Sequence, residues 1–251
     1  MIAANQKNAH VLITGAAGGI GSAVVKALAP TAELLIVTDK NEDGLDKLTQ
    51  QYENVMSHAC DLASTEEVES LIRLCIEKNI NCVVHSAGFG GPFVTLTKVS
   101  YEDWRRVFRV NVDSLYLIAH GLLSNMVEQK FGRIIALSSI QGSLGSRGSS
   151  AYVASKHALN GLIKTIAVEY GGSGITANAI CPGYIRTQMG ANDSQVDDYM
   201  CKVLNRTPTA TVGEPSQVAD VVAFLLSKTN SYMNGSFVTV DGGISADVGI
   251  L

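Results

Sequence analysis

Short apolar runs alternate with longer amphipathic stretches along the whole chain, and this alternation restricts the fold more than any other feature. The short runs are residues 11–14, 34–38, 55–60, 82–86, 133–138, 176–181 and 237–240. They are rich in Val, Ile and Ala, and several are apolar without alternation, as strands buried on both faces of a parallel sheet require. Between them, residues 19–29, 65–78, 101–129, 151–170 and 216–227 carry helical periodicity. Six or seven β-α units in series predict an α/β fold, a doubly wound parallel sheet with helices on both faces.

Composition agrees with a packed fold of this kind. The chain has 251 residues, of which 46% are hydrophobic and 17% charged, enough apolar surface for a sizeable core and too little charge for a disordered chain. With only five prolines and no repeat or linker, residues 1–251 are expected to form one domain. The 19 Lys and Arg against 23 Asp and Glu leave a net charge of −4, with no electrostatic case for nucleic acid. No apolar run approaches a membrane span, and residues 1–10 lack an apolar signal core, so a cytoplasmic protein with no membrane partner is expected. Cys60, Cys75, Cys82, Cys181 and Cys201 show no C-x-x-C spacing, and His10, His58 and His85 lie in apolar segments. No metal or disulfide framework is expected; the cysteines read as small buried apolar residues and the histidines as packed or hydrogen-bonded ones.

Ligands of such sheets bind beyond the carboxyl ends of the strands, which fall here at Thr14-Gly15, Asp39, Asp61, Ala87-Gly88, Ser138-Ser139 and Pro182-Gly183. The turn from Thr14 to Gly21 reads TGAAGGIG and opens the first helix. Its glycines, Gly15, Gly18, Gly19 and Gly21, let a pyrophosphate approach the backbone and the free N–H groups of the helix. Asp39, at the end of the second run, stands where a carboxylate accepts hydrogen bonds from both adenosine ribose hydroxyls. Lys40 beside it could meet a 2′-phosphate, but the carboxylate would repel that group by roughly 1–3 kcal/mol after screening. NAD is therefore expected over NADP.

Tyr152 and Lys156 are four residues apart and share one helix face. A phenol of ordinary pKa near ~10 is a poor base at neutral pH, and a neighbouring ammonium and a cationic nicotinamide both favour the phenolate. Ser139 lies thirteen residues before Tyr152, at a strand end. Together with the glycine turn, these residues resemble the short-chain dehydrogenase/reductase family, whose fold is Rossmann-like. The resemblance covers nearly the whole chain and includes the turn at residues 14–21, Asp61-Leu62, Asn111, Ser139, Tyr152, Lys156, the P-G-x-x-x-T of residues 182–187 and the VDGG of residues 240–243.

The resemblance implies an NAD(P)-dependent oxidoreductase that moves a hydride between the cofactor and a secondary alcohol or ketone. It implies that Asp61 and Leu62 contact adenine, with Gly15, Gly18, Gly19, Ile20 and Gly21 under the pyrophosphate. It places Ser86, Ala87, Gly88, Pro182, Ile185 and Thr187 around the ribose and carboxamide. Ser139 would hold the substrate oxygen, Tyr152 exchange its proton, Lys156 bind the nicotinamide ribose and lower the tyrosine pKa, and Asn111 hold a water leading to solvent. One departure is plain: the family usually has Asn-Asn-Ala-Gly where this chain has His85-Ser86-Ala87-Gly88.

Residues 188–212 contain no strong strand and would cover the substrate, which makes Tyr184, Met189, Gln141, Phe93 and the region of Val203 pocket candidates. By resemblance the nearest relatives are 3-oxoacyl-carrier-protein reductases and sugar-acid or hydroxyacid dehydrogenases. Carrier docking in the former uses basic residues, and the matching places here hold Lys130 and Ser173. An NAD-linked dehydrogenase of a small hydroxy or keto compound is the preferred reading. An NADPH-dependent 3-oxoacyl-carrier-protein reductase and a non-catalytic nucleotide sensor are the alternatives. Apolar residues beyond one stripe, Leu115, Leu117, Ile118, Leu122 and Leu123, together with the family habit, predict a homodimer or homotetramer.

Overall fold

The computed structural model describes residues 9–187 and 196–246. Seven parallel strands form one sheet in the order β3-β2-β1-β4-β5-β6-β7. They are β1 (His10–Thr14), β2 (Leu34–Thr38), β3 (Val55–Ser57), β4 (Cys82–His85), β5 (Gly132–Leu137), β6 (Ile175–Pro182) and β7 (Phe237–Val240). The order reverses between β1 and β4, which pair in register from Val11 with Cys82 to Thr14 with His85. That reversal opens a crevice above the carboxyl ends of the two strands.

The two-residue period of each strand sorts side chains onto opposite faces. Val11, Ile13, Leu35, Val37, Cys82 and Val84 face α1 (Gly19–Leu28) and α8 (Pro215–Leu226), through Val24, Val25, Leu28, Val218, Val222 and Leu225. Leu12, Ile36, Val83, Ile134 and Ala136 face the other way. They meet Leu71 and Cys75 of α3 (Thr65–Glu77), Leu115, Ile118 and Leu122 of α5 (Ser114–Gln129), and Leu159 and Ile163 of α6 (Ser150–Tyr170).

Three features differ from the periodicity. The third strand stops at Ser57 because β3 is a sheet edge, where Met56 is exposed and there is no second neighbour to extend it. Two helices stand outside the expected set, α2 (Glu42–Thr49), capped by Asn41, and α7 (Val196–Arg206). Residues 101–129 are not one regular helix: α4 (Tyr101–Phe108) passes into a π-type turn, Arg109–Asp113, before α5 begins. Four cysteines are buried as expected, but Cys201 is exposed. Among the described residues no helix is long and apolar enough to cross a membrane, and no group of His, Cys, Asp and Glu could hold a metal ion.

Candidate active site

The glycine turn is built against the end of β4. Gly15 has φ +63° and lies so close to the next strand end that a Cβ there would sit 2.7 Å from the Ala87 Cα. Only glycine satisfies both conditions. The Ala87 amide donates to Thr14 Oγ1 at 3.1 Å, which ties the two strand ends together. Gly19 allows a second approach, since a Cβ on it would meet Thr187 Cγ2 at 2.8 Å. Thr187 is thereby brought over the start of α1.

Above these ends runs a cavity of about 460 Å³. Twelve of the expected cofactor residues line it: Gly15, Gly18, Gly19, Ile20, Gly21, Asp39, Asp61, Leu62, Ser86, Ala87, Gly88 and Thr187. Thr38, Lys40, Cys60, Phe89, Arg106 and Val110 also line it. Phe89 and Arg106 carry no motif signal. They meet because α4 lies against the segment that follows β4, which places the guanidinium 5.1 Å from the Phe89 ring centroid. Asp39 is held in place by two backbone amides, Ala17 N to Oδ2 at 3.1 Å and Asn41 N to Oδ1 at 3.1 Å. A long cleft with carboxylates at one end and a glycine-lined helix start in its middle fits a dinucleotide.

Four expected cofactor residues lie apart from that lining. Pro182 ends β6 and is buried. Ile185 pairs with Gly213 in an isolated bridge and packs on the core. Tyr152 and Lys156 stand on α6, one turn apart, with the ammonium 5.4 Å from the Tyr152 ring centroid. Lys156 Nζ donates to Leu137 O at 2.6 Å. A Cβ on Gly88 would lie 3.6 Å from Nζ, so the catalytic candidates adjoin the cavity at that glycine.

Ser139, at the β5 end, is close enough to Tyr152 for its hydroxyl to favour the phenolate, and its Oγ accepts from Gln141 N at 3.1 Å. Asn111 sits in the π-type turn. Its Oδ1 accepts from Phe89 N at 2.7 Å, and its Nδ2 donates to Phe89 O at 3.1 Å and to Ser155 Oγ at 2.9 Å. The Ser155 hydroxyl donates to Tyr152 O at 2.7 Å. The Asn111 carboxamide thus joins Phe89 to the helix turn that carries Tyr152 and Lys156. A water on the path from Lys156 would have to use other atoms, the main chain among them.

Among the substrate candidates, Gln141 Oε1 is buried without a partner. Tyr184 is half-buried, and its carbonyl accepts from Gly213 N. Phe93 is 76% exposed, whereas Val203 is buried and reads as packing. Met189 lies outside the described residues.

The electrostatics differ from the expectation in one respect. Burial raises the Tyr152 phenol above its ordinary value, and the Ser139 hydrogen bond only partly opposes this. Burial also drives Lys156 down to about 8. Among the protein's own groups, removal of water from the phenolate outweighs what Ser139 gives back. Any downward shift of the phenol must come from a further positive charge.

His85 is fully buried, and burial, with the Lys156 charge, lowers it to about 3. Unfolded histidine binds a proton near 6.5. The unfolded chain therefore holds more protons between these values, and stability is lost as pH falls through that window. His85→Gln should remove about 3 kcal/mol of the acid destabilisation seen between neutral pH and pH ~4. Urea titrations of both proteins across that range measure it, and parallel pH curves would refute it.

A parallel doubly wound sheet with a dinucleotide cleft at its switch point, adjoining a Ser–Tyr–Lys cluster, defines a nicotinamide-dependent oxidoreductase. The sequence profile of the family described as Enoyl-(Acyl carrier protein) reductase matches residues 15–245. A 3-oxoacyl-[acyl-carrier-protein] reductase of Rickettsia bellii is 34% identical over 93% of this chain and 95% of its own length. A tropinone reductase homolog of Arabidopsis thaliana is 33% identical over 94% of this chain and 92% of its own. A Beutenbergia cavernae structure, provisionally assigned as an NAD(P)-dependent gluconate 5-dehydrogenase and holding NADP at low occupancy, superposes with a TM-score of 0.91. It is 27% identical and covers 97% of this chain and 99% of its own. The chain belongs to the short-chain dehydrogenase/reductase family and is an NAD(P)-dependent oxidoreductase.

Proposed function

We propose that the protein oxidises a secondary alcohol of a small hydroxy compound, or reduces the matching ketone, with NAD(H) as its cofactor. The observation that carries this is the joined cluster of Ser139, Tyr152 and Lys156 beside the Gly88 edge of the cleft. When bound, the nicotinamide dinucleotide takes up or returns the hydride. The protein supplies the rest. Ser139 Oγ fixes the substrate oxygen, and Tyr152 Oη takes its proton in oxidation or returns it in reduction. Lys156 holds positive charge beside the phenol and anchors the nicotinamide ribose, while Asn111 braces the turn of α6 between them. Gly15, Gly18, Gly19, Ile20 and Gly21 seat the pyrophosphate. Asp39 accepts from the adenosine ribose, Asp61 and Leu62 flank adenine, and Ser86, Ala87, Gly88, Pro182, Ile185 and Thr187 enclose the nicotinamide half. Gln141 and Tyr184 border the substrate. A screen of alcohols and ketones, read by absorbance of the reduced cofactor, tests the reading; turnover of none of them would overturn it.

Asp39 supports NAD over NADP, because both its oxygens are pinned at the cavity edge where a 2′-phosphate would have to sit. NAD is expected to be favoured by at least about tenfold in kcat/KM, about 1.4 kcal/mol. Equal or better use of NADPH would mean that Lys40, which lines the same cavity, governs the choice. Lys40 and the 34% identity to a 3-oxoacyl-carrier-protein reductase favour a second reading, an NADPH-linked reductase of carrier-bound 3-oxoacyl groups. Assay with such a substrate separates the two.

A homodimer or homotetramer is the proposed assembly. The apolar residues in excess of one α5 stripe are used inside the protomer: Leu115, Ile118, Leu122 and Leu123 are buried, and Leu117 packs on the core. Support comes instead from Tyr116, 52% exposed on α5, and Val168, 85% exposed on α6. Light scattering at micromolar concentration should give twice or four times the protomer mass, and a monomer would rule the assembly out.

A further inference from the structure

The residue that departs from the family pattern, His85, heads a buried relay. Its Nε2 lies 2.9 Å from Ser114 Oγ, and that hydroxyl lies 2.7 Å from Val110 O. A carbonyl only accepts, so the single Ser114 proton goes to Val110. Ser114 Oγ must then accept from His85, which fixes the histidine as the neutral Nε2–H tautomer. Its Nδ1 is the bare nitrogen, buried and without a partner.

The relay ends where the helix register slips. The Ser114 amide reaches back five residues to Arg109 O. Val110 O, which an unbroken helix would offer to that amide, takes the Ser114 hydroxyl instead. Val110 lines the dinucleotide cavity, and Asn111 beside it braces Phe89 and Ser155. A side chain on the central strand β4 therefore holds the turn that presents both residues to the site.

We propose that His85, acting through Ser114, is a positioning residue for Val110 and Asn111 and so for the geometry of Tyr152 and Lys156. This rests on the reading of Tyr152 and Lys156 as the acid–base pair. Gln places its amide nitrogen as many bonds from Cβ as histidine Nε2, so it can still donate to Ser114. Asn matches only the Nδ1 position and cannot.

The test compares His85→Gln, His85→Asn, Ser114→Ala and the double variant His85→Asn/Ser114→Ala in the intact protein, with Tyr152→Phe as control. His85→Asn and Ser114→Ala should each lower kcat about tenfold, with the dissociation constant for NAD changed less than about threefold, as misplaced groups do. The double variant should be no worse than either single one, since both break one relay. His85→Gln should keep at least half of the wild-type kcat. Ser114→Ala deletes one oxygen, so it carries the test even if His85→Asn fails to fold. A lower Tm with kcat within twofold of wild type for Ser114→Ala would reduce the relay to packing and overturn the proposal. So would His85→Gln as slow as Ser114→Ala. If these variants stay fast while Tyr152→Phe is inactive, the relay alone falls. If Tyr152→Phe keeps full kcat, the underlying reading falls, and the relay with it.

Discussion

Tyr152→Phe is expected to lower kcat by at least about 100-fold, the lower bound for general acid–base catalysis, while NAD binding changes less than about threefold. The substitution removes one oxygen from a side chain whose ring stays packed beside Lys156. As the hydride departs, the proton of the alcohol must still be taken up, and no other group of the cluster is suited. Ser139 is an ordinary hydroxyl. His85 is buried, is engaged by Ser114 and has been driven down to about 3, so it is too weak a base to take the place of Tyr152. Stopped-flow measurement of the chemical step checks the result, and retention of more than a tenth of the wild-type rate would mean that another residue moves the proton. The pH profile gives a second check. At saturating NAD, kcat/KM for the alcohol should rise with pH through one apparent pKa below the ~10 of free tyrosine. The protein alone holds the phenol above its ordinary value. The difference between the two states therefore measures what the cofactor's charge contributes, and no downward shift at saturating NAD would deny it that part.

Lys156→Met should lose rate and cofactor affinity together yet gain stability. On the proposed reading the ammonium serves both the phenol and the ribose, so kcat should drop about 100-fold and NAD binding weaken about tenfold. Stability moves the other way. In the fold, burial holds Lys156 near 8 against an ordinary 10.5, so the unfolded chain binds the proton more tightly. Below pH 8 the full cost of a buried cation is present, and it is relieved as pH rises from about 8 toward 10.5. An apolar side chain of similar length removes that cost. Its Tm should exceed that of the wild type at pH 7, with the gap closing in alkali. A lower Tm for Lys156→Met at pH 7 would show that the Leu137 hydrogen bond outweighs desolvation. Active sites often keep such destabilising groups because catalysis uses them.

Much of the site was legible because its parts are local. The glycine turn, Asp39, Asp61 and the Ala87-Gly88 pair each sit at a strand end, and parallel pairing brings strand ends to one edge of the sheet. Tyr152 and Lys156 are joined by helix pitch alone. What was not legible depends on contacts between segments far apart in sequence. Arg106 and Phe89 enter the cavity wall only because α4 packs on the segment that follows β4. The short β3 follows from its place at the sheet edge, and the π-type turn from bonds that Asn111 and Ser114 make to other elements. The apolar residues of α5 exceed one stripe in the sequence, yet α3 and the sheet use them within the protomer.

The sequence by itself determined the class of fold, the glycine turn at the sheet edge and the shared helix face of Tyr152 and Lys156, because apolar period, turn chemistry and i,i+4 spacing act over a few residues. Tertiary structure alone decided the protonation preferences and the tautomer of His85, the bracing of Asn111 and the course of the cavity wall. Those depend on burial and on hydrogen bonds across 20 or more residues of chain, such as the 29 between His85 and Ser114, and no local pattern encodes how much water such groups lose.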